Sequence, residues 1–190
     1  VIYHVVIDED PERVPETEDI VIETKSMSRE DWRRTRIFCW TTSLLHFDKI
    51  FQIPLVVLAE TTGVSYRDLI EVFTESDLSE FTVLFEIHSF FTEKARSIQQ
   101  GGIENCPSKE WLNIYWPPDE FIFIKLCREG KLDQFYVEAK NALFRFFASR
   151  PLVVDPQLLK EAIGFNRALV KLPFCDKDLV FESSYNLREF

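Results

Sequence analysis

Glycine is scarce in this sequence, with five glycines among 190 residues. Nucleotide-binding loops place glycines at fixed spacing so that the backbone can approach a phosphate group, and neither GxGxxG nor GxxxxGK occurs here. So few flexible positions also leave little room for a mobile lid over an active site. The glycine content therefore gives no support to a nucleotide-binding enzyme.

Paired cysteines, from which most zinc and iron–sulfur sites are built, are also lacking. Cys39, Cys106, Cys127 and Cys175 lie far apart and form no CxxC or CxxxCxxC motif. Cys39 and Cys127 fall within apolar helical patterns, where a thiol usually acts as a small buried hydrophobic side chain. Cys106 lies in a predicted loop with no neighbouring base to activate it. We therefore expect free cysteines, and neither a metal nor another cofactor in this chain.

Positive charge is in deficit, because 22 lysine and arginine residues face 32 aspartate and glutamate residues, a formal net charge of −10. This field repels phosphate backbones, so nucleic acid is not an expected partner. No apolar run reaches the roughly 20 residues of a bilayer span, and the opening VIYHVVI lacks the basic flank of a signal peptide. We expect a cytoplasmic protein with no membrane partner.

Methionine occurs once, at Met27, and the sequence opens on Val1. A chain that begins with a strand-like apolar run needs a partner strand. Without an initiator methionine, we expect the chain to be cut from a longer polypeptide, with processing of a short leader as the alternative, and residues 1–25 to be a strand and linker segment that leads in from the preceding part. Residues 26–190 then form one helical domain, long enough for a single sizeable core.

Helix start signals are what the sequence has in abundance. In chain order they are Ser28 with Asp31, Pro54, Ser65 with Asp68, Pro118, and Asp155 with Pro156. Apolar residues follow at helical spacing, for the first helix at Ile37, Trp40, Leu44, Phe47 and Phe51, and a longer helix is predicted over about 78–99. Strands are predicted at 1–7, a mostly apolar run, at 20–24, and at 178–186, where apolar and polar residues alternate. The patterns predict a mainly α fold, an irregular bundle of about six or seven helices with a small β element formed by terminal strands.

Charged and histidine residues offer few candidates for chemistry. His46 and His88 lie on apolar helical patterns, where a histidine is more often a hydrogen-bonded core residue than a ligand. Arg33, Arg34 and Arg36 occupy the first two turns of the first predicted helix, where their charge opposes the helix dipole. We expect acidic groups of the chain itself to face these arginines, in preference to a bound anion.

An aromatic cluster precedes two prolines in the least regular segment, and it consists of Trp111, Tyr115 and Trp116. Such a cluster is typical of a ligand pocket or of a docking surface, and core packing under a long loop explains it equally well. The candidate docking or pocket residues of the whole chain are Trp32, Arg33, Trp40, His46, Trp111, Tyr115 and Trp116.

The stretch IVIETKSMSREDWRRTRIFCWTTSLLHF, residues 20–47, resembles the region that follows the catalytic barrel in cobalamin-binding (B12-binding) radical SAM proteins. The matching positions are Glu23, Thr24, Met27, Ser28, Arg29, Glu30, Asp31 and Trp32, then Phe38, Trp40, Leu45 and His46. The closing FESSYNLREF is similar to the end of the same proteins. The resemblance is diffuse between these two segments.

This resemblance implies a non-catalytic, C-terminal accessory domain that packs on the radical SAM barrel of its own chain. It implies a [4Fe-4S] cluster, S-adenosylmethionine and cobalamin for the full-length enzyme. The family's CxxxCxxC motif, cobalamin domain and SAM-binding barrel have no counterpart in this sequence, so no catalytic or cofactor-binding residue carries over. One alternative is a stand-alone helical protein-interaction module. A third is a small-molecule enzyme with a pocket between helices near His46 and His88.

Overall fold

The computed structural model describes residues 2–6, 16–111, 114–170 and 178–190, with side chains described from residue 19 onward in those ranges. In chain order the elements are β1 (Ile2–Val6), β2 (Glu16–Ile20), α1 (Arg29–Thr42), a π-helical turn (Ser43–Phe47), α2 (Gln52–Thr62), α3 (Tyr66–Thr74), α4 (Thr82–Gln99), β3 (Cys106–Ser108), β4 (Ile114–Trp116), α5 (Pro118–Arg128), α6 (Leu132–Ala148) and α7 (Pro156–Leu169). The predicted mainly α fold, with seven α-helices in the described residues, is confirmed.

The strands form two small antiparallel sheets. β1 pairs with β2, with Ile2 opposite Ile20, and β3 pairs with β4, with Cys106 opposite Trp116. The strand predicted at 20–24 lies earlier along the chain, because Thr24 forms a tight turn in which its N–H donates to the carbonyl of Met27 at 2.9 Å.

The strand predicted at 178–186 is not present, and residues 178–190 run as bends and turns. Glu161 of α7 explains the difference. Its carboxylate accepts hydrogen bonds from the Ser183 hydroxyl and the Ser184 backbone N–H, both at 2.7 Å. The Glu161 side chain therefore binds the Ser184 backbone N–H, which a neighbouring strand would need for pairing.

Local signals set most of the helix ends. The Ser28 hydroxyl accepts from the N–H of Asp31 at 3.1 Å while the Asp31 carboxylate accepts from the N–H of Ser28 at 3.2 Å, which confirms the capping box. At the start of α3 the Ser65 hydroxyl accepts from the N–H of Asp68 at 3.1 Å and donates to its carboxylate, which is the predicted cap without the second backbone bond of a box. Asp155 accepts two backbone N–H bonds at the start of α7. Gly63 ends α2 in the left-handed conformation, at φ 70°, as predicted.

Helix α4 begins differently, because its N-cap residue, Phe81, has no side-chain acceptor. Glu138 of α6 supplies one. Its Oε2 atom accepts from the N–H groups of Val83 and Leu84 at 2.8 and 3.0 Å, and Gln134 donates to Oε1 at 2.8 Å. A carboxylate at a helix N-terminus also complements the helix dipole. Two helices distant in sequence are thereby joined end to side.

Phenylalanine dominates the interior. Helices α3 and α4 each contact both α1 and α6, while α2 packs against α7 and α5 against the π-helical turn. Phe51, Phe91 and Phe135 are completely buried, and the Phe51 ring lies 5.9 Å from that of Phe135 and 6.0 Å from that of Phe73. Edge-to-face contacts of this kind stabilise the core beyond the area they bury.

Within the described residues, no helix is long and apolar enough to span a bilayer by itself. The segments Arg29–Phe47 and Gln52–Thr62, which meet at 95°, satisfy the length and composition test only when joined.

Candidate functional site

The chain changes direction at the end of α1 through an uncommon piece of backbone. Residues 43–47 form a π-helical turn, in which the N–H of Asp48 donates to the carbonyl of Ser43 at 2.8 Å. Lys49 then adopts a positive φ of 62°, which few residues other than glycine take. π-Helical turns are rare and frequently lie at functional sites. The junction of α1 and α2 is therefore the first place to look for a function.

Three aromatic side chains form a surface at this junction, here called the π-turn patch: His46, Phe47 and Tyr66. The His46 ring lies 5.2 Å from that of Phe47 and 5.9 Å from that of Tyr66, both edge-on. Phe47 is 69% exposed and Tyr66 is 41% exposed. The Nδ1 atom of His46 is buried and has no hydrogen-bond partner among the described residues. The patch thus combines exposed apolar surface with an unsatisfied polar atom.

Phe47 was expected on the inward face of α1, and that prediction is wrong. The π-helical turn contains more residues than an α-helical turn, so the side chains that follow it are rotated around the helix axis. Leu44 and Leu45 take the buried positions, each 1% exposed, and Phe47 points away from the core.

Asp48 lies beside the patch in an unusual electrostatic setting. Its Oδ2 atom is buried with no hydrogen-bond partner in the described residues. Burial, reinforced by the negative charges of Asp119 and Glu120 at the start of α5, raises the pKa of this carboxyl group to about 7. The group is therefore partly protonated at neutral pH.

The aromatic cluster of the β3–β4 hairpin belongs to a continuous series of rings. Trp111 lies 4.8 Å from Phe121, which stacks on Phe90 at 5.6 Å, and Phe90 contacts Phe91 at 5.8 Å. Within the hairpin, the Trp116 indole donates to the carbonyl of Trp111 at 3.2 Å. Tyr115 and Trp116 are half-buried. Trp111 therefore packs on Phe121 of α5, and Phe121 in turn packs on Phe90 of α4.

Trp32 and Trp40, two of the candidate docking residues, lie in the core. They are 6% and 5% exposed, and the Arg36 guanidinium lies 5.7 and 4.9 Å from their ring centroids. Arg36 also pairs with Glu104. A partner cannot reach either indole at the surface of this fold.

The arginines of α1 face acidic side chains, as predicted. Arg33 pairs with Glu30 and also donates to Gln99 Oε1 at 3.3 Å. Arg34 pairs with Glu75 at 3.1 Å. His88 lies near this cluster, in a cleft between α1, α3 and α4 that His46 does not line. This cleft thus contains one of the two histidines that the sequence suggested as members of one pocket.

Two cysteines differ from expectation in burial. Cys39 is exposed on α1, while Cys106 is buried in β3, where desolvation raises the pKa of its thiol. Cys175 lies outside the described residues. Within the described part of the chain, no group of three His, Cys, Asp or Glu side chains is placed to hold a metal ion.

Comparison with protein-family models, with curated proteins and with solved structures finds no match to this chain. The resemblance of residues 20–47 to cobalamin-binding radical SAM proteins therefore stays a prediction.

Proposed function

We propose that this chain is a non-catalytic accessory domain that packs, through the π-turn patch, on the barrel of a cobalamin-binding radical SAM enzyme. The observation that carries the docking role is the exposure of Phe47, 69% of whose surface faces solvent beside two further rings. Large aromatic side chains held together at a surface are typical anchors of protein interfaces. The choice of partner rests on the sequence resemblance of residues 20–47.

A polar atom in the patch and another beside it favour a docking role as well. His46 Nδ1 and Asp48 Oδ2 are both buried without a partner in the described residues. A buried polar atom without a hydrogen bond costs about 1–3 kcal/mol, which a partner would offset only if docking turned these side chains toward its own donors or acceptors. Burying the Phe47 ring would contribute roughly 2 kcal/mol more.

The resembling segment and the patch are continuous along the chain. The segment, residues 20–47, starts at the end of β2 and runs through α1. It ends on His46 and Phe47, which are two of the three residues of the patch. In this proposal the iron–sulfur cluster, S-adenosylmethionine and cobalamin belong to the partner barrel, and this chain binds none of them. The proposal also assigns the chain to the cytoplasm, where the free thiols of Cys39, Cys106 and Cys127 would stay reduced.

The test is a calorimetric titration of this chain with a recombinant radical SAM barrel encoded by the same gene or a neighbouring one. We expect saturable binding that Phe47→Ser weakens by about tenfold or more, because the variant removes the anchor. Phe85→Ser is the matched control, since Phe85 is 49% exposed on α4 and lies outside the patch.

Absence of binding to the barrel, or an equal loss in both phenylalanine variants, would contradict the proposal. Stoichiometric iron in the purified chain would contradict it as well. A stand-alone interaction module is the second candidate, and the same exposed Phe47 supports it. It predicts that Phe47→Ser abolishes binding to a different protein while the barrel does not bind at all.

A further inference from the structure

A cleft of about 230 Å³ lies between α1, the end of α3 and α4. Basic and hydroxyl side chains are prominent in its lining: Arg33, Arg34, Arg96, His88, Thr74 and Thr92. Two glutamates, Glu30 and Glu75, also border it. This grouping of positive charge stands out in a chain whose net charge is −10.

Ion pairs already account for two of the three arginines. Glu30 pairs with Arg33, and Glu75 pairs with Arg34 at 3.1 Å. Arg96 is exposed at the edge of the cleft and has no ion pair or hydrogen bond with any described residue. Both glutamates are thus paired with other arginines, and the guanidinium of Arg96 is available to bind an anionic ligand.

Two hydroxyl groups in the same cleft lack partners. The Oγ1 atoms of Thr74 and Thr92 are buried and make no hydrogen bond with a described residue. A folded protein rarely leaves a buried hydroxyl unsatisfied, because the loss of its hydrogen bonds to water is unfavourable. A hydroxyl can donate as well as accept, so each of these two side chains would offer a donor to a ligand that reaches it from the cleft.

We propose that this cleft binds the phosphate group of a small phosphorylated molecule, with Arg96 as its main charge partner and Thr74 and Thr92 as hydroxyl donors. Arginine suits this role because its planar fork of N–H groups matches phosphate oxygens. Water occupies about 30 Å³ per molecule, so a volume of about 230 Å³ holds a phosphate and a few more atoms. A nucleotide is too large for it. The inference is independent of the docking role proposed above.

The first experiment measures binding of inorganic phosphate to the full chain by calorimetry, at constant ionic strength set with sodium chloride. We expect one saturable site that Arg96→Gln weakens by about tenfold or more, since a charge-assisted hydrogen bond is lost. Arg188→Gln is the matched control. Arg188 is an exposed arginine that does not line the cleft, and its replacement should leave phosphate binding unchanged.

A second variant, Thr92→Val, removes an unsatisfied hydroxyl while keeping the side-chain shape. We expect its unfolding midpoint without phosphate to equal or exceed that of the wild type, while phosphate binds several-fold more weakly. A purely structural role for Thr92 would leave phosphate binding unchanged. Acetate should bind more weakly than phosphate, because a planar carboxylate has fewer oxygens to share among the donors.

Glycerol 3-phosphate distinguishes a phosphorylated molecule from free phosphate. Binding as tight as that of inorganic phosphate supports the proposal, and exclusion of the ester overturns it. The proposal also fails if phosphate shows no saturation, if Arg188→Gln weakens binding as much as Arg96→Gln, if Thr92→Val binds phosphate like the wild type, or if acetate binds as tightly as phosphate.

Discussion

Asp48 occupies a position where a single residue couples stability to pH. The pKa of its carboxyl group is raised to about 7 by burial and by the charges of Asp119 and Glu120. The folded state therefore keeps a proton that the unfolded state releases near its ordinary pKa of 3.8. The contribution of this group to stability is greatest below that value, falls as the pH rises toward 7, and stays low above it.

Asp48→Asn tests this coupling, because asparagine resembles the protonated carboxyl group. We expect the variant to match the wild type at about pH 4 and to exceed its free energy of unfolding by roughly 1 kcal/mol at about pH 8, a figure reduced for the partial exposure of the group. Urea denaturation at the two pH values measures both quantities. An equal difference at both would mean that Asp48 does not titrate abnormally.

Glu138 shows how one element of this fold depends on another. The start of α4 was expected at about residue 78, yet the helix begins at Thr82, where the carboxylate of Glu138 reaches the free N–H groups. A capping box has both partners within three residues, so it is readable from sequence. The partners of Glu138 lie 55 and 54 residues away, and no local pattern predicts them.

We expect Glu138→Ala to lower the free energy of unfolding by about 2 kcal/mol, because two backbone donors at the start of α4 lose a charged acceptor. Glu138→Gln should lose less, since its amide oxygen still accepts. Glu93→Ala, an exposed glutamate of α4, serves as the control and should change stability by less than about 0.5 kcal/mol. Denaturant unfolding of the variants gives the comparison, and equal losses for Glu138→Ala and Glu93→Ala would refute the capping role.

The π-helical turn, like the start of α4, is not predictable from the sequence. Its residues, SLLHF, continue the apolar pattern of α1, and nothing in that pattern marks where the hydrogen bonding changes. The sequence singled out His46 as a candidate, and its two neighbours in the patch, Phe47 and Tyr66, were not among the candidates. Tyr66 joins the patch from α3, a tertiary contact that residue spacing within α1 cannot express.

At the scale of the whole molecule, Asn166 joins three parts of the chain. Its amide nitrogen donates to the carbonyls of Lys49 and Ile50 at 3.0 and 2.7 Å, and its Oδ1 atom accepts from the N–H of Ile53 at 3.0 Å. Tyr136 of α6 donates to the same Ile50 carbonyl at 2.6 Å. Burial raises the pKa of this tyrosine to about 12, so the hydroxyl remains a donor at physiological pH. The network fixes the turn before α2 against α6 and α7.

Asn166→Asp should lower the free energy of unfolding by about 3 kcal/mol, because a carboxylate would face two carbonyl oxygens and would remove the Asn166 donor from both, leaving Ile50 only the bond from Tyr136. Asn141→Asp makes the same change of charge at an exposed position of α6, and we expect it to have little effect. Thermal and denaturant unfolding of both variants measure the difference. If the two substitutions are equally mild, Asn166 does not hold these elements together.

The architecture as a whole was more predictable than the site. Amphipathic spacing and caps depend on neighbours along the chain, so α1, α3, α5 and α7 follow from local residues. The exposure of a side chain depends on which elements pack against it in the folded chain. The sequence therefore identified aromatic residues but did not distinguish the buried Trp40 from the exposed Phe47. The prediction of a C-terminal strand was wrong for a related reason, since Glu161 is remote in sequence from the two serines whose groups donate to it.

The four tryptophans fall into two environments, and this gives the protein an intrinsic optical readout. Trp32 and Trp40 are enclosed by the core, while Trp111 and Trp116 in the hairpin remain partly hydrated. Indole emission shifts to longer wavelength as water gains access to the ring. Displacement of the hairpin alone would therefore change the long-wavelength side of the fluorescence emission, to which Trp111 and Trp116 contribute. Loss of the helical core would shift the short-wavelength emission of Trp32 and Trp40.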